Sequence, residues 1–266
     1  VAQRATWALV LCLFLIVVLR RGAQLREVLR SRRQTGILAA AAAIVVINWT
    51  LYVYAVTSGH TLEAALGYFI TPLVSALLGV VVLGERLRPA QWVAFGVGFA
   101  AVAVLAVAYG HFPLISVAIA VSFGVYGLLK KQVGARVGAI EGLTVETLAI
   151  VPLALVYLTW LNAGGMGTVD PVSPYGLIIM LSGPVTAVPL ILFAAAAARV
   201  SLTTIGMLQY IAPVGQFLLG WLAFSEPMPP ARWAGFLIVW VAVIIFALDA
   251  ARAAAKARPP RLEHGD

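Results

Sequence analysis

Few side chains in this sequence could make or break bonds, and they do not gather. His60, His111 and His264 fall in loops or the tail, so no metal cluster or buried base assembles from them. The single cysteine, Cys12, lies in an apolar run and says nothing about redox compartment. No glycine-rich phosphate loop of the Walker type occurs, so ATP is not expected as an energy source, and no cofactor or metal is called for. What remains are polar residues stranded inside apolar runs: Asn48, Tyr52, Tyr68, Thr71, Tyr126, Gln209, Tyr210 and Gln216. Buried unpaired in hydrocarbon, each would cost a few kcal/mol, so each needs a partner. That partner is either a neighbouring helix, which would make the residue glue, or a bound solute.

Acids are scarcer. Glu63 and Glu146 fall near the starts of helical runs, where a carboxylate complements the positive end of the helix; proton coupling is the sharper alternative for both. Glu85 and Glu226 fall at helix C-termini, where the dipole disfavours them. Each therefore predicts a cationic or amide partner and an architectural role. Two prolines, Pro72 and Pro213, lie within apolar runs. Each removes a backbone N–H that would have bonded the carbonyl four residues back, at Tyr68 and Gln209, so both are expected as helix-break sites.

The elements that must position these groups follow from composition. The 266 residues are 62% hydrophobic and only 11% charged, with a mean hydropathy of +1.01. A soluble surface needs about 25% charged residues, so lipid is the solvent. Nine apolar stretches of about 17–24 residues stand near 2–19, 36–57, 62–83, 91–109, 112–129, 143–161, 175–198, 202–224 and 231–249, each long enough to cross about 30 Å of hydrocarbon. The alternation of a barrel strand is absent, so the fold class is all-α integral membrane, a bundle of nine transmembrane helices.

The net charge of +8 is spread over short loops rather than one aromatic-studded face, which argues against nucleic acid as a partner. Arg20 to Arg33, Arg86/Arg88, Lys130/Lys131/Arg136 and Arg199 occupy the odd-numbered loops, and Arg252, Lys256, Arg258 and Arg261 the tail. The even-numbered loops hold almost none. The positive-inside rule then places odd loops and the C-terminus in the cytoplasm.

At a constant offset of 141 residues the chain matches itself: Pro72 with Pro213, Gly79 with Gly220, Glu85 with Glu226, Pro89 with Pro230, Trp92 with Trp233 and Phe95 with Phe236. The offset carries the third stretch onto the eighth. Five spans per repeat, an odd number, give inverted repeats, the architecture common in secondary transporters. Residues 1–110 form the first repeat, lacking its first helix; 111–250 form the second; 251–266 are a cytoplasmic basic tail. The missing partner of stretch 112–129 is expected upstream of residue 1, giving ten spans in the intact protein.

Several stretches resemble RarD-type members of the EamA family, in the drug/metabolite transporter superfamily: Asn48-Trp49-Thr50-Leu51-Tyr52, Gly67-Tyr68-Phe69-Ile70-Thr71-Pro72-Leu73, the run from Ser122 to Lys131, Val145-Glu146-Thr147-Leu148, Ser182 to Pro189 and Ile205 to Pro213. The resemblance implies a ten-helix permease built from two inverted five-helix repeats, and no settled substrate.

The expected function is therefore a multi-pass secondary transporter of the bacterial inner membrane, moving a small metabolite or drug-like solute by alternating access. It is not expected to be an enzyme. The alternatives are a membrane-embedded enzyme acting on a lipid intermediate, which would need acids or histidines clustered at one face, and a non-transporting scaffold. Asn48, Tyr52, Tyr68, Gln209 and Tyr210 are expected to line one cavity, with Pro72 and Pro213 breaking helices beside it and Glu63 or Glu146 as coupling candidates. Partners are the solute and the lipid bilayer, with a homodimer left open.

Overall fold

The computed structural model describes residues 1–109, 112–165, 173–212, 215 and 230–256. Within them the structure is helical: α1 (Ala2–Val18), α2 (Gly22–Arg30), α3 (Arg32–Thr57), α4 (Thr61–Leu83), α5 (Pro89–Tyr109), α6 (Leu114–Gly134), α7 (Ala139–Ala163), α8 (Pro174–Arg199), α9 (Leu202–Leu208) and α10 (Pro230–Lys256). Local chemistry sets many of the ends. Ser31, Ser173 and Ser201 accept hydrogen bonds from the backbone amides of Gln34, Gly176 and Thr204, satisfying donors that open α3, α8 and α9. Gly84 closes α4 in the left-handed region, at φ 66°, where a side chain would be strained.

Among the described residues five helices are long and apolar enough to cross a membrane: Arg32–Thr57, Glu63–Leu83, Leu114–Gly134, Ala139–Ala163 and Pro174–Arg199. A sixth span arises only if α1 and α2, which meet at 119°, count together. Pro89–Val104 and Trp240–Asp249 are shorter apolar helices. Of the expected stretch 202–224, the helix α9 covers the start, and Pro213, Gln216 and everything to 224 except Gly215 lie outside the described residues, as does Glu226.

Two expectations about loops are corrected. The first basic segment is no open loop but the amphipathic helix α2, whose Leu25 and Val28 pack against Leu38, Val133, Val137 and Val145 while its arginines face outward. Lys130 and Lys131 are not in a loop either. α6 continues to Gly134, and Lys130 is buried.

Packing interleaves the helices of residues 1–110 with those that follow. α1 lies on α7 and α8, α3 on α6 and α7, and α4 on α6 and α9, while α5 pairs with α10. Crossings are close because they are built on small residues. A Cβ added to Gly206 would come within 2.7 Å of the Pro72 carbonyl oxygen, and one added to Gly183 would run into the main chain of Trp7. The outward faces carry Val17, Val81, Val107 and Leu153, each more than 70% exposed, and only lipid can cover such residues on every side of a bundle.

Candidate functional site

Where α3, α4, α6, α8 and the end of α9 converge they leave a cavity of about 240 Å³. α3 contributes Asn48, α4 Tyr68 and Thr71, α6 Ile119 and Phe123, and α8 Pro189, Leu190 and Phe193; Gln209 and Ala212 close it just beyond α9. Each wall thus comes from a different stretch of sequence. Phe123 and Phe193 meet at 5.4 Å between ring centroids, and both lean on Tyr126 behind them, at 5.8 and 5.9 Å.

Three of the expected solute-binding residues, Asn48, Tyr68 and Gln209, border this cavity. Asn48 also acts as glue, since its amide donates to the Ile119 carbonyl and to Ser122 Oγ, both at 2.9 Å. Both N–H donors are thereby used, and only its carbonyl oxygen remains to bind anything else. Gln209 Oε1 is buried with no hydrogen-bond partner among the described residues. Tyr52 does not line the cavity but braces it, its ring edge-on to Tyr68 at 5.7 Å.

Tyr210 is a correction. Its ring is fully buried on the opposite side, among Leu66, Phe69, Ala94, Ala101 and Met207, and its hydroxyl lies against Gly98. Consecutive residues of a helical turn point about 100° apart, and here that offset sends Tyr210 into this apolar cluster while Gln209 borders the cavity.

Pro72 also behaves differently from expectation. α4 runs unbroken through Pro72, and the preceding Thr71 hydroxyl donates to the Gly67 carbonyl at 2.8 Å. Pro213 lies outside the described residues, yet the Gln209 carbonyl it was expected to leave bare accepts from Ala212 N at 3.1 Å. Regular α-helix stops at Leu208, and the chain tightens to three-residue bonds from Tyr210 N to Met207 O and from Ala212 N to Gln209 O. The irregularity at the cavity is therefore a tightened turn, with the Met207 and Gln209 carbonyls bonded.

Of the acids, Glu63 lies in the first turn of α4 and also serves the start of α6. Its carboxylate accepts from Ile115 N at 3.3 Å, and its carbonyl from Ser116 Oγ at 2.7 Å. Glu146, by contrast, does not serve a helix end. It is buried two turns into α7, ion-paired to Lys130 at 2.5 Å and hydrogen-bonded by Tyr126 at 3.1 Å. Glu85 finds the amide partners its position demanded, accepting from Leu202 N (2.6 Å), Thr203 N (2.9 Å) and Thr203 Oγ1 (2.7 Å) at the start of α9.

Two charged residues escaped the sequence reading. Lys130 was hidden by its neighbour Lys131, since a pair of lysines at the end of an apolar run looks topogenic. Arg4 lies inside the first apolar stretch, and a charge in such a place is itself the signal. Its guanidinium stands 4.3 Å from the centre of the Trp49 ring. Among the described residues no cluster of three or more His, Cys, Asp or Glu could hold a metal ion.

Comparison with known proteins agrees with this architecture. Residues 2–107 match the EamA-like transporter family. Protein RarD of Streptomyces exfoliatus is 49% identical over 263 residues, covering 98% of this chain and 82% of that protein. Protein RarD of Escherichia coli K12 is 36% identical, covering 93% and 83%, and an uncharacterized transporter of Vibrio cholerae is 37% identical, covering 98% and 86%. A solved crystal structure at 23% identity superposes with a TM-score of 0.69 over 95% of this chain and 87% of that one, which speaks to the fold alone. With apolar helices fit to cross a membrane several times and relatives of this similarity named as transporters, the chain is a multi-pass membrane protein and belongs to the EamA-like transporter family as a RarD-type permease.

Proposed function

We propose that the cavity is the solute site of a secondary transporter that works by alternating access in the bacterial inner membrane. In this reading nine spans are present here, arranged as two inverted repeats with the C-terminus in the cytoplasm. The observation that carries it is the cavity itself, which Asn48 and Tyr68 border from residues 1–110 and Phe193 and Gln209 from residues 111–250. Rocking one group of helices against the other would open such a place to either side of the membrane. Two acceptors are left spare, Gln209 Oε1 and the Asn48 carbonyl, so a solute that presents a hydrogen-bond donor between the aromatic walls would bond them.

Glu146 is the better coupling candidate of the two acids. It is buried against Lys130 and Tyr126, near Cys12, and Tyr126 stacks on the cavity-lining Phe193; Glu63 is engaged at two helix ends.

The test compares metabolite flux in sealed vesicles carrying wild type, Gln209→Ala and Tyr68→Phe. Both variants should lose transport of whichever solute the wild type moves, at membrane expression near wild type. Loss of expression in step with activity would reduce these residues to packing. Orientation is tested with single cysteines at Gly59 and Gly165 in a Cys12→Ala background. An impermeant thiol reagent added outside should label both and spare Gln24→Cys. Gly110 and Ala257 extend the same scan but lie outside the described residues.

A further inference from the structure

Among the described residues Arg4 has no anionic partner. It projects from α1, inside an apolar run, and its Nε is buried with no hydrogen-bond partner among the described residues. The ion pairs of the described residues join Arg21 to Glu141, Arg88 to Asp249 and Lys130 to Glu146, and none reaches it. What holds the guanidinium is the face of Trp49, at 4.3 Å. A ring face balances charge from one side and accepts none of the five N–H bonds that a guanidinium can donate in its own plane. A cation so placed in a membrane ordinarily faces a partner or a water-filled path.

Its surroundings are those of the cavity. Trp49 follows the cavity-lining Asn48 in α3 and packs in the same cluster as Leu190, another cavity residue. The guanidinium also lies within electrostatic reach of the Tyr68 hydroxyl. Arg4 therefore neighbours the cavity residue Tyr68, with its in-plane donors unspent on any described residue.

We propose that Arg4 is an anion-binding residue of this site, and that the solute carries a single carboxylate on an aromatic or apolar body. The carboxylate bonds the fork of the guanidinium while the body enters between Tyr68, Phe123 and Phe193. One unpaired cation suits a monoanion; a phosphate dianion would call for a second, and the nearest buried lysine, Lys130, is committed to Glu146. This assignment rests on the cavity being the solute site, which the experiment tests separately.

Equilibrium binding to the full-length protein purified in a neutral detergent is measured for matched pairs whose ring hydroxyl supplies the donor in both members: 4-hydroxybenzoate and 4-hydroxybenzamide, 4-hydroxyphenylacetate and 4-hydroxyphenylacetamide, 3-(4-hydroxyphenyl)propanoate and its amide. The carboxylate of at least one pair should bind roughly tenfold or more tightly than its amide, the scale of a charge-assisted hydrogen bond. Arg4→Gln should erase that preference, bringing both members to the same Kd, and Arg4→Lys should keep part of it. Gln209→Ala should weaken carboxylate and amide alike. 4-Hydroxyphenyl phosphate should gain no advantage over 4-hydroxyphenylacetate, and added phosphatidylglycerol should not compete.

Equal binding of acid and amide by the wild type overturns the anion assignment, even if Arg4→Gln cannot be purified. So does a preference that survives Arg4→Gln, or competition by phosphatidylglycerol, which would make Arg4 a lipid-headgroup contact. Either result leaves the cavity reading intact if Gln209→Ala still weakens binding. Binding that ignores Gln209→Ala removes the cavity reading, and binding of no pair removes both.

Discussion

Cutting the Lys130–Glu146 pair from one side should be far more damaging than removing it whole. The two side chains are 3% and 1% exposed and meet at 2.5 Å, so neither has water to fall back on. Replacing Lys130 with Met leaves a buried carboxylate whose only remaining bond is from Tyr126, at 3.1 Å. Stranding one buried charge costs about 3–5 kcal/mol. Glu146→Leu strands the ammonium and takes the acceptor from Tyr126 as well, adding about 1 kcal/mol. The double variant Lys130→Met/Glu146→Leu strands no charge, and should fall between the wild type and a gain of about 1–4 kcal/mol. A double-mutant cycle in detergent, with unfolding by a denaturing surfactant followed through tryptophan fluorescence, should therefore give a coupling energy of at least about 6 kcal/mol, the sum of the two single losses less that of the double. If Glu146 couples transport to protons, as proposed above, flux through the same double variant should no longer respond to an imposed proton gradient while wild-type flux does. Single variants within about 0.5 kcal/mol of wild type, adding up in the double, would show that both groups reach water and would refute the reasoning.

Four further outcomes follow from particular contacts. Glu85→Ala should cost about 1–2 kcal/mol, because it uncaps the first amides of α9, and surfactant unfolding reads this directly. Gly206→Ala should cost about 1–3 kcal/mol by pressing a methyl on the Pro72 carbonyl, whereas Gly36→Ala, which meets nothing within 4 Å, should be neutral or slightly stabilising in the same assay. Tyr210→Phe should leave flux unchanged and stability equal or up to about 1 kcal/mol higher, since it deletes a buried hydroxyl without a partner among the described residues. A fall in flux with Tyr210→Phe matching that of Gln209→Ala would return Tyr210 to the cavity.

The sequence spoke most clearly where one signal was repeated over many residues. Long apolar runs mark the helices because every backbone group in lipid must be bonded within its own segment. Stretch 112–129, opened by Pro113 after a short loop, is a full helix for that reason. Helix α2 was missed although Leu25, Val28 and Leu29 recur at helical spacing, because a nine-residue segment between clustered arginines reads as a basic loop. Asn48, Tyr68 and Gln209 were legible as polar groups with nowhere to bond, but which way a side chain faces is decided by helix rotation. Tyr210 was lost on that point. Lys130 and Glu146 are 16 residues apart, on two helices joined by a tight turn, and their pairing depends on a register that composition does not show. Arg4 was overlooked although a charge inside an apolar run is a signal, and only tertiary packing sets it on Trp49.

The grip of Glu85 on α9 has a mechanical consequence. The carboxylate follows the end of α4 and holds the amides of Leu202 and Thr203, while Gln209 comes directly after the last residue of the same short helix. Seven helical residues span about 10 Å and resist compression, so α9 behaves as a connecting rod. A displacement of the α4 end would then reach the Gln209 side chain without slack, carrying one acceptor of the cavity with it. Spin labels at Val82 and Leu208 should hold one fixed separation while solute is turned over, and broaden into several once Glu85 is replaced by alanine.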